Sequence, residues 1–240
     1  MSAALAVENL VAGYGATVVL DDVSFSLPEG GTLAVLGRNG VGKTTLLCTI
    51  MGYTTRHRGS IKLSDVAIED LPTHRRVVAG LGYVPQEREI FPSLTAEENL
   101  AVAIRPGGWT MEQVFDLFPG LAARRKNSGN RLSGGEQQML AVGRALVGGP
   151  RVMLLDEPME GLAPIVIDAL FDALSRIRDA GGLTIVLVEQ KLDLALDFAR
   201  EAIVLDRGRI VYRGTTEELK RDEGAQARHL GAGADHVAAR

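Results

Sequence analysis

The most informative segment of the sequence is Gly37-Arg38-Asn39-Gly40-Val41-Gly42-Lys43-Thr44-Thr45. The apolar run 33–36 precedes it, and the run 46–51 that follows reads as the start of a helix. Its spacing matches G-x-x-x-x-G-K-[ST], in which the glycines let backbone amides turn inward around phosphate oxygens. A chance match in an ordinary strand-to-helix turn is the alternative, but the strand and helix on either side argue against it. The sequence therefore predicts a phosphate-binding loop.

The residues of this loop supply different kinds of contact. Lys43 adds a mobile positive charge for the outer phosphates, and the Thr44 hydroxyl is placed to hold Mg²⁺. The unpaired N–H groups at the start of the following helix also favour an anion. The candidate phosphate-binding residues are Gly37, Asn39, Gly40, Gly42, Lys43, Thr44 and Thr45.

Length, charge and cysteine content restrict the class of protein. With 240 residues, the chain can build one α/β domain with a sizeable core, with or without a smaller subdomain. The formal net charge of -4 gives no general basic field, so we do not expect nucleic acid as a partner. The single cysteine, Cys48, follows the loop in an apolar segment and indicates a buried residue in a reducing compartment.

The sequence shows neither of the two usual membrane-directing patterns. Residues 1–8 lack the basic residues and the apolar core of a secretory signal. No apolar run reaches the length of about 18 residues that a membrane-spanning helix needs. We therefore expect the chain to act from the water side of any membrane process that it serves.

Short apolar runs, broken by glycine, proline and aspartate, predict the order of strands and helices. Residues 5–36 predict an antiparallel β layer that leads into the loop strand. Strands at 60–63 and 81–84 follow, with a helix through 73–77 between them. The later predicted elements are helix 164–180, strand 184–188, helix 191–200, strand 202–205 and strand 209–212. This alternation predicts an α/β fold with a mainly parallel central sheet.

The middle of the chain has a different, helical character. Capping boxes begin at Thr95 and Thr110, each with Glu or Gln three residues later, and predict an inserted helical subdomain. We expect a single domain over residues 1–240. Its predicted parts are a core over 1–90 and 150–223, the helical subdomain over 91–149 and a flexible tail over 224–240.

A second group of candidate residues stands at the end of a predicted central strand. The continuous apolar run 152–155 is typical of a strand covered on both faces, and it ends in Asp156 and Glu157. Ligands of such sheets bind beyond the carboxyl ends of the strands. We therefore predict that Asp156 holds Mg²⁺ through the outer coordination shell of the ion. Glu157 is predicted to orient or deprotonate the water that attacks a γ-phosphate, although two acids on an ordinary surface are the alternative.

Two loop residues are further candidates. Gln86 follows Pro85, which ends a predicted strand, and from there its amide can reach a metal-bound water or a phosphate. Tyr14 lies between Gly13 and Gly15, so its ring can stack on a nucleotide base. A solvated glutamine and a tyrosine that packs on its own sheet are the alternatives.

The segment Leu132-Ser133-Gly134-Gly135-Glu136-Gln137 stands before a predicted helix. Ser133 and Glu136 satisfy a capping box, so the segment can simply start that helix well. A cap needs neither glycine, whereas a helix start whose backbone touches an anion needs residues without a Cβ atom. We therefore add Ser133, Gly134, Gly135 and Glu136 to the candidate ligand contacts.

Together, the loop, Gln86, the segment 132–137 and the strand 152–157 resemble the nucleotide-binding subunits of ATP-binding cassette (ABC) transporters. The motifs stand in the order and spacing of that family over about residues 7–219. The resemblance implies a P-loop NTPase fold, ATP and Mg²⁺ as ligands, and ATP hydrolysis coupled to transport across a membrane. It implies a chain that is cytoplasmic and peripheral on the inner face of the cell membrane.

The resemblance also implies partners. Two ATPase copies, identical or paralogous, pack head to tail, so that Ser133 and Gly135 of one copy close on the ATP of the other. Tyr14 then stacks on adenine, and Gln86 couples the site to an integral membrane permease. The helical insert carries the docking groove for that permease, and a separate solute-binding protein completes the system.

Within the family, the chain looks most like the ATPases of branched-chain (hydrophobic) amino-acid importers and their urea and amide relatives. The closer match lies in residues 82–86, 88–92, 157–164 and 187–190. Gln190 stands where most members have a histidine, and residues 161–164 lack the usual aspartate of the loop between copies. An amide can donate to a γ-phosphate but does not titrate near neutral pH. The candidate catalytic residues are Glu157, Lys43, Gln86 and Gln190, and the candidate metal contacts are Thr44, Gln86 and Asp156.

Three other functions stay open from the sequence. The first is the ATPase of a urea or short-chain amide importer of the same family. The second is a soluble, non-transport cassette ATPase of repair or translation, although such proteins usually carry tandem cassettes, long inserts or basic arms. The third is a non-hydrolysing nucleotide sensor, which the presence of Lys43, Thr44, Asp156 and Glu157 argues against.

Overall fold

The structure, a computed structural model, describes residues 3–230. Within this part the strands are β1 (Ala3–Tyr14), β2 (Thr17–Pro28), β3 (Thr32–Leu36), β4 (Thr55–Leu63), β5 (Val66–Ala67), β6 (Leu81–Val84), β7 (Val152–Asp156), β8 (Thr184–Val188), β9 (Glu201–Asp206) and β10 (Arg209–Thr215). The helices are α1 (Lys43–Met51), α2 (Thr73–Ala79), α3 (Ala96–Ala101), α4 (Met111–Leu117), α5 (Pro119–Ala122), α6 (Gly134–Val147), α7 (Pro164–Ala180), α8 (Leu192–Phe198), α9 (Thr216–Arg221) and α10 (Glu223–Leu230).

The central sheet has the strand order β10-β9-β3-β8-β7-β6. Neighbouring strands of this sheet run parallel, except that β9 and β10 form an antiparallel pair. Every residue of β3, β7 and β8 is buried, because both faces of these strands are covered. The phosphate loop follows β3 and therefore starts from the middle of the sheet, with β8 between β3 and β7. This confirms the predicted mainly parallel sheet.

Two hydrophobic cores lie on the two faces of this sheet. Because successive strand residues point to opposite faces, Leu33 and Val35 enter one core while Ala34 and Leu36 enter the other. The first core packs the antiparallel sheet, with the order β2-β1-β4-β5, against the central sheet and α1. The second packs helices including α6 and α7 on the opposite face. The predicted N-terminal antiparallel layer is thus confirmed.

Helices α3 to α6 follow one another between β6 and β7 and form the helical insert. The capping boxes at Thr95, Thr110 and Ser133 are all present, with the side chain and backbone bonds in both directions. Asn99 has no exposed surface and donates to the carbonyls of Phe91, Leu94 and Thr95. One buried amide therefore fixes the loop that enters the insert.

Two of the differences between the structure and the sequence prediction have a clear physical cause. Strand β4 begins at Thr55, five residues before the predicted start, because Arg56 and its charged neighbours pair with β1 on an exposed edge. Residues 224–230, predicted to be part of a flexible tail, lie in α10, where Ala225 is buried and Leu230 packs on the core. The Asp222 carboxylate accepts the N–H of Ala225 and starts this helix. Residues 231–240 of the predicted tail lie outside the described residues.

Among the described residues, no helix combines the length and the apolar character needed to cross a membrane.

Arg76 joins α1 to the segment that follows it and supports the first stability prediction. It is only 5% exposed, and it donates to the carbonyls of Thr49, Ile50, Glu69 and Leu71. Truncation leaves these buried acceptors unpaired, so we expect Arg76→Ala to lower the free energy of unfolding by about 3 kcal/mol. Urea unfolding measures the change.

The neighbouring Arg75→Ala is the matched control, because Arg75 is exposed. It is expected to change the free energy of unfolding by less than about 0.5 kcal/mol. Equal stability of the two variants would contradict the structural role of Arg76.

Candidate active site

A cavity of about 290 Å³ opens at the carboxyl ends of β3, β6, β7 and β8. Its lining residues are Asn39, Gly40, Gly42, Lys43, Thr44, Thr45, Gln86, Glu157, Glu160 and Gln190. The structure therefore brings together most of the candidates for phosphate binding and catalysis. Because the carboxyl ends of parallel strands share one edge of the sheet, residues far apart in sequence meet there.

The glycines of the phosphate loop are required by its backbone. Gly40 and Gly42 have backbone φ values of 79° and 111°, which residues other than glycine rarely adopt. At Gly37, a Cβ atom would lie 2.4 Å from the carbonyl oxygen of Leu205, so no larger residue fits there without a shift. The loop can therefore keep its amides free to face a ligand.

Lys43 is held over this loop. Its Nζ atom donates to the carbonyls of Gly37 and Arg38 at 3.0 and 3.2 Å and lies 3.5 Å from Glu157 Oε1. The side chain is 5% exposed, so its charge acts in a partly desolvated environment. A phosphate in the cavity meets a lysine that is already positioned.

Thr44 and Asp156 join the loop to the end of β7. Thr44 Oγ1 donates to Asp156 Oδ1 at 3.1 Å, and the Tyr83 hydroxyl donates to Asp156 Oδ2 at 3.3 Å. Burial raises the pKa of Asp156 from its ordinary value of 3.8 to about 6. A hydroxyl and a single carboxylate are the hard oxygen donors that Mg²⁺ takes together with nucleotide phosphates, so the residues present fit this ion.

Glu157 lies beside Asp156 in a strained conformation. Its φ is 46°, a left-handed value that for a residue other than glycine tends to occur at functional sites. Its Oε2 atom accepts a 2.6 Å bond from Gln190 Nε2, and its side chain is 7% exposed. Burial is the main cause that raises the pKa of Glu157. A carboxylate with a raised pKa next to a phosphate loop is suited to accept a proton.

Gln86 lines the cavity, but its amide is engaged. It donates to the carboxylate of Glu160, which also lines the cavity. Glu160 was not among the sequence candidates. It lies three residues after Glu157, in a turn closed by the bond from the Glu160 N–H to the Glu157 carbonyl, and the sequence carries no local signal that this turn brings Glu160 to Gln86.

Two further residues escaped the sequence analysis. Tyr83 contacts Asp156 through its hydroxyl, and Glu189 is a 2% exposed carboxylate beside Gln190. Tyr83 reaches Asp156 because β6 pairs with β7, a neighbour relation that the sequence does not state. An acid directly after the apolar run of β8 was the available signal for Glu189.

The segment from Ser133 to Glu136 does not line this cavity in the same chain. It starts α6 in the helical insert, where Ser133 and Glu136 cap the helix. A Cβ atom on Gly135 would lie 2.4 Å from Val166 Cγ1, so this glycine is also required by packing against α7. At Gly134, the atoms nearest to the position of a Cβ atom belong to the Arg88 guanidinium, at 3.3 Å or more.

Tyr14 lies near the loop but outside the cavity lining. It ends β1 opposite Thr17 and is 53% exposed. The same hairpin continues to Leu20, whose Cδ2 atom would lie 2.9 Å from a Cβ atom on Gly42. The hairpin that carries Tyr14 therefore packs beside the phosphate loop, and about half of the Tyr14 side chain is exposed.

Burial of Asp156 leads to a pH-dependent stability prediction. Between pH of about 4 and about 6 the folded protein keeps a proton on Asp156 that the unfolded chain has released. The free energy of unfolding therefore falls as pH rises through this window. Asp156→Asn cannot ionise, so its stability relative to the wild type should increase by about 2 kcal/mol across the window. Urea unfolding without nucleotide or metal measures this, and a constant difference at all pH values would contradict it.

Comparisons with known proteins agree with this geometry. A family model described as "ABC transporter" matches residues 20–160, more than half of the chain. The chain is 39% identical over 227 residues to the high-affinity branched-chain amino acid transport ATP-binding protein BraG of Pseudomonas aeruginosa, covering 91% of this chain and 95% of BraG. It is also 39% identical over 224 residues to the probable branched-chain amino acid transport ATP-binding protein LivF of Archaeoglobus fulgidus, covering 90% and 93%.

Two further similarities are broader. The lipopolysaccharide export system ATP-binding protein LptB of Escherichia coli K12 is 32% identical over 236 residues, covering 95% of this chain and 98% of LptB. The crystal structure of a nucleotide-free ATP-binding cassette from an ABC transporter matches with a TM-score of 0.81 at 25% identity, covering 96% and 98%. The chain therefore belongs to the ABC transporter family, and it is an ATP-binding transporter ATPase with a P-loop fold.

Proposed function

We propose that this chain energises the uptake of branched-chain or other hydrophobic amino acids as the ATPase subunit of an importer. The observation that supports this substrate class most directly is the 39% identity to BraG and LivF over about nine tenths of the chain. Gln190 and the segment 161–164, which depart from the common family pattern, are features that the resemblance attributes to this branch. The chain would work at the cytoplasmic face of the membrane.

In this proposal, Glu157 deprotonates or orients the attacking water. Its desolvated carboxylate is held by Gln190 and lies close to Lys43, whose charge stabilises the transferred phosphoryl group. Thr44 and Asp156 would hold Mg²⁺, which neutralises negative charge on the phosphates when it is bound. Gln86, released from Glu160, would contact the metal-bound water or the phosphate.

We place the completed site between two ATPase copies. Ser133, Gly134, Gly135 and Glu136 start α6 away from the cavity of their own chain, and the α6 N-terminus presents backbone donors suited to a phosphate. A second copy would therefore supply these contacts, with Tyr14 stacking on adenine. The second copy is identical or a paralogue.

A groove beside the helical insert supports an integral membrane partner. It has a volume of about 720 Å³, and several large apolar side chains on it are exposed. These include Tyr53, Phe91, Val102 and Ile104. Exposed apolar side chains that line one groove together mark an interaction site. We assign the groove to the permease, and a separate solute-binding protein would deliver the amino acid.

Uptake measurements test this function. Deleting the gene in its own organism should abolish high-affinity uptake of radiolabelled leucine, isoleucine and valine. The wild-type chain should restore uptake, and the Glu157→Gln variant should not, because it cannot turn over ATP. Normal uptake of all three amino acids in the deletion strain would contradict the proposal.

The 32% identity to LptB favours one competing function, lipopolysaccharide export. The deletion strain distinguishes the two, because an export defect would leave amino-acid uptake intact and disturb the outer surface of the cell. Urea and acetamide uptake, measured in the same strain, tests the related amide importers.

A further inference from the structure

Glu189 is a buried carboxylate that the proposed mechanism does not yet use. It directly follows β8 and is 2% exposed. Burial is the largest cause that raises its pKa. An ionisable group is costly to bury, so its presence between the central sheet and α8 calls for a physical reason.

Among the described residues, the carboxylate of Glu189 accepts hydrogen bonds from backbone groups only. Its Oε1 atom accepts the N–H groups of Gln190 at 2.9 Å and of Lys191 at 3.3 Å. Helix α8 has no other side-chain cap, so Glu189 satisfies the free donors just ahead of its first turn. The bonds fix the direction in which the chain leaves β8.

The residue whose backbone is fixed in this way is the one that holds Glu157. Gln190 Nε2 donates to Glu157 Oε2 at 2.6 Å, across the active-site cavity. A side chain can hold such a short bond only if its own backbone is well placed. Misplacing a catalytic group by about 1 Å can cost about a hundredfold in rate.

We infer that Glu189 is a positioning residue for ATP hydrolysis, which fixes Gln190 so that its amide orients the Glu157 carboxylate. This inference rests on the proposed role of Glu157 in the attack of water. Glu189 does not itself touch the nucleotide cavity. It acts through Gln190, as outer partners of catalytic and metal-binding groups commonly do.

The second carboxylate oxygen of Glu189, Oε2, faces a small cavity beside the phosphate loop. Oε2 has no hydrogen-bond partner among the described residues, and Glu189 lines a cavity of about 90 Å³. Leu36 and Gly37, at the start of the phosphate loop, line the same cavity. This space is large enough for a water molecule that donates to the carboxylate.

Two substitutions of Glu189 distinguish the effect of its hydrogen-bond acceptor from the effect of its side-chain volume. Glu189→Met keeps the volume and removes the acceptor, so we expect kcat to fall about tenfold while KM for ATP changes less than about twofold. Glu189→Gln keeps an amide oxygen for both N–H groups and should restore most of kcat. If the methionine variant does not fold, as judged by thermal unfolding, Glu189→Ala takes its place.

A double-mutant cycle tests whether the effect passes through Gln190. In a Gln190→Ala background, Glu189→Met should lower kcat by less than about twofold, because the side chain that it positions is gone. Asp193→Ala is the matched control, since it removes an exposed carboxylate from the first turn of the same helix. Its kcat should equal that of the wild type.

Three results would overturn the inference: wild-type kcat in Glu189→Met, an equal tenfold loss in the Gln190→Ala background, or a Glu189→Gln variant as impaired as the methionine variant. Glu157→Gln, assayed alongside, distinguishes failure of the positioning role of Glu189 from failure of the proposed catalytic role of Glu157. If Glu157→Gln is inactive and Glu189→Met is normal, only the positioning role fails. If Glu157→Gln hydrolyses ATP at the wild-type rate, the proposed role of Glu157 fails with it.

Discussion

The Glu157→Gln variant is expected to bind ATP as tightly as the wild type and to lose turnover by about 10²- to 10³-fold. The amide has the size of the carboxylate, and its oxygen can still accept the bond from Gln190. It cannot take a proton from water at neutral pH. Binding should be kept, because in the proposed site the loop and Lys43, not Glu157, supply the contacts to the phosphates. Release of inorganic phosphate and equilibrium binding of a fluorescent ATP analogue measure the two quantities separately.

Glu29→Gln is the matched control for this variant. Glu29 is exposed in the turn before β3, at the opposite end of that strand from the phosphate loop. The same chemical change there should leave both turnover and ATP affinity unaltered. Full turnover in Glu157→Gln would remove Glu157 from the role of the base.

The Lys43→Ala variant is expected to lose ATP affinity by about 10- to 100-fold, together with turnover. The truncation removes the cation that faces the outer phosphates. It also leaves Glu157 without its nearby positive charge, so the carboxylate repels the nucleotide more strongly. Isothermal titration with ATP measures the affinity directly.

Lys62→Ala controls for the loss of one positive charge, because Lys62 is exposed on β4. Its ATP affinity should match that of the wild type. A Lys43→Ala variant with unchanged affinity would mean that the phosphates bind elsewhere than in the cavity of the loop.

The parts of the fold that were predicted well carry strong local signals. Helix α7 and strand β8 begin and end where expected, because Pro164 starts the helix and Gly181 and Gly182 end it. The start of β4 was missed because its charged residues hide the strand pattern on an exposed edge. Helix α10 was missed because a composition rich in alanine, glycine and arginine gives no clear apolar face, although Ala225 packs on the core.

The residues of the site also divide into those that a local sequence signal marks and those that only the fold brings together. The loop residues, Asp156 and Glu157 could be predicted because a motif and a strand end mark them locally. Tyr83 and Glu160 could not, since their roles depend on which strands lie side by side and how the turns between them pack. Glu189 is marked by its place directly after the apolar run of β8, but its bonds to the backbone ahead of α8 are visible only in the structure. The segment from Ser133 to Glu136 was recognised as a motif. It does not line the cavity of its own chain, so the ligand contact that we propose for it requires a second copy.

The molar mass of the Glu157→Gln protein with and without ATP shows whether two copies complete one site. It is determined by light scattering during size-exclusion chromatography. Without nucleotide we expect the mass of one chain. With ATP and Mg²⁺ we expect twice that mass, because ATP on the loop of one copy binds Ser133 and Gly135 of the other, and blocked hydrolysis keeps them together. A protein saturated with ATP that still elutes with the mass of one chain would contradict a site completed by a second copy.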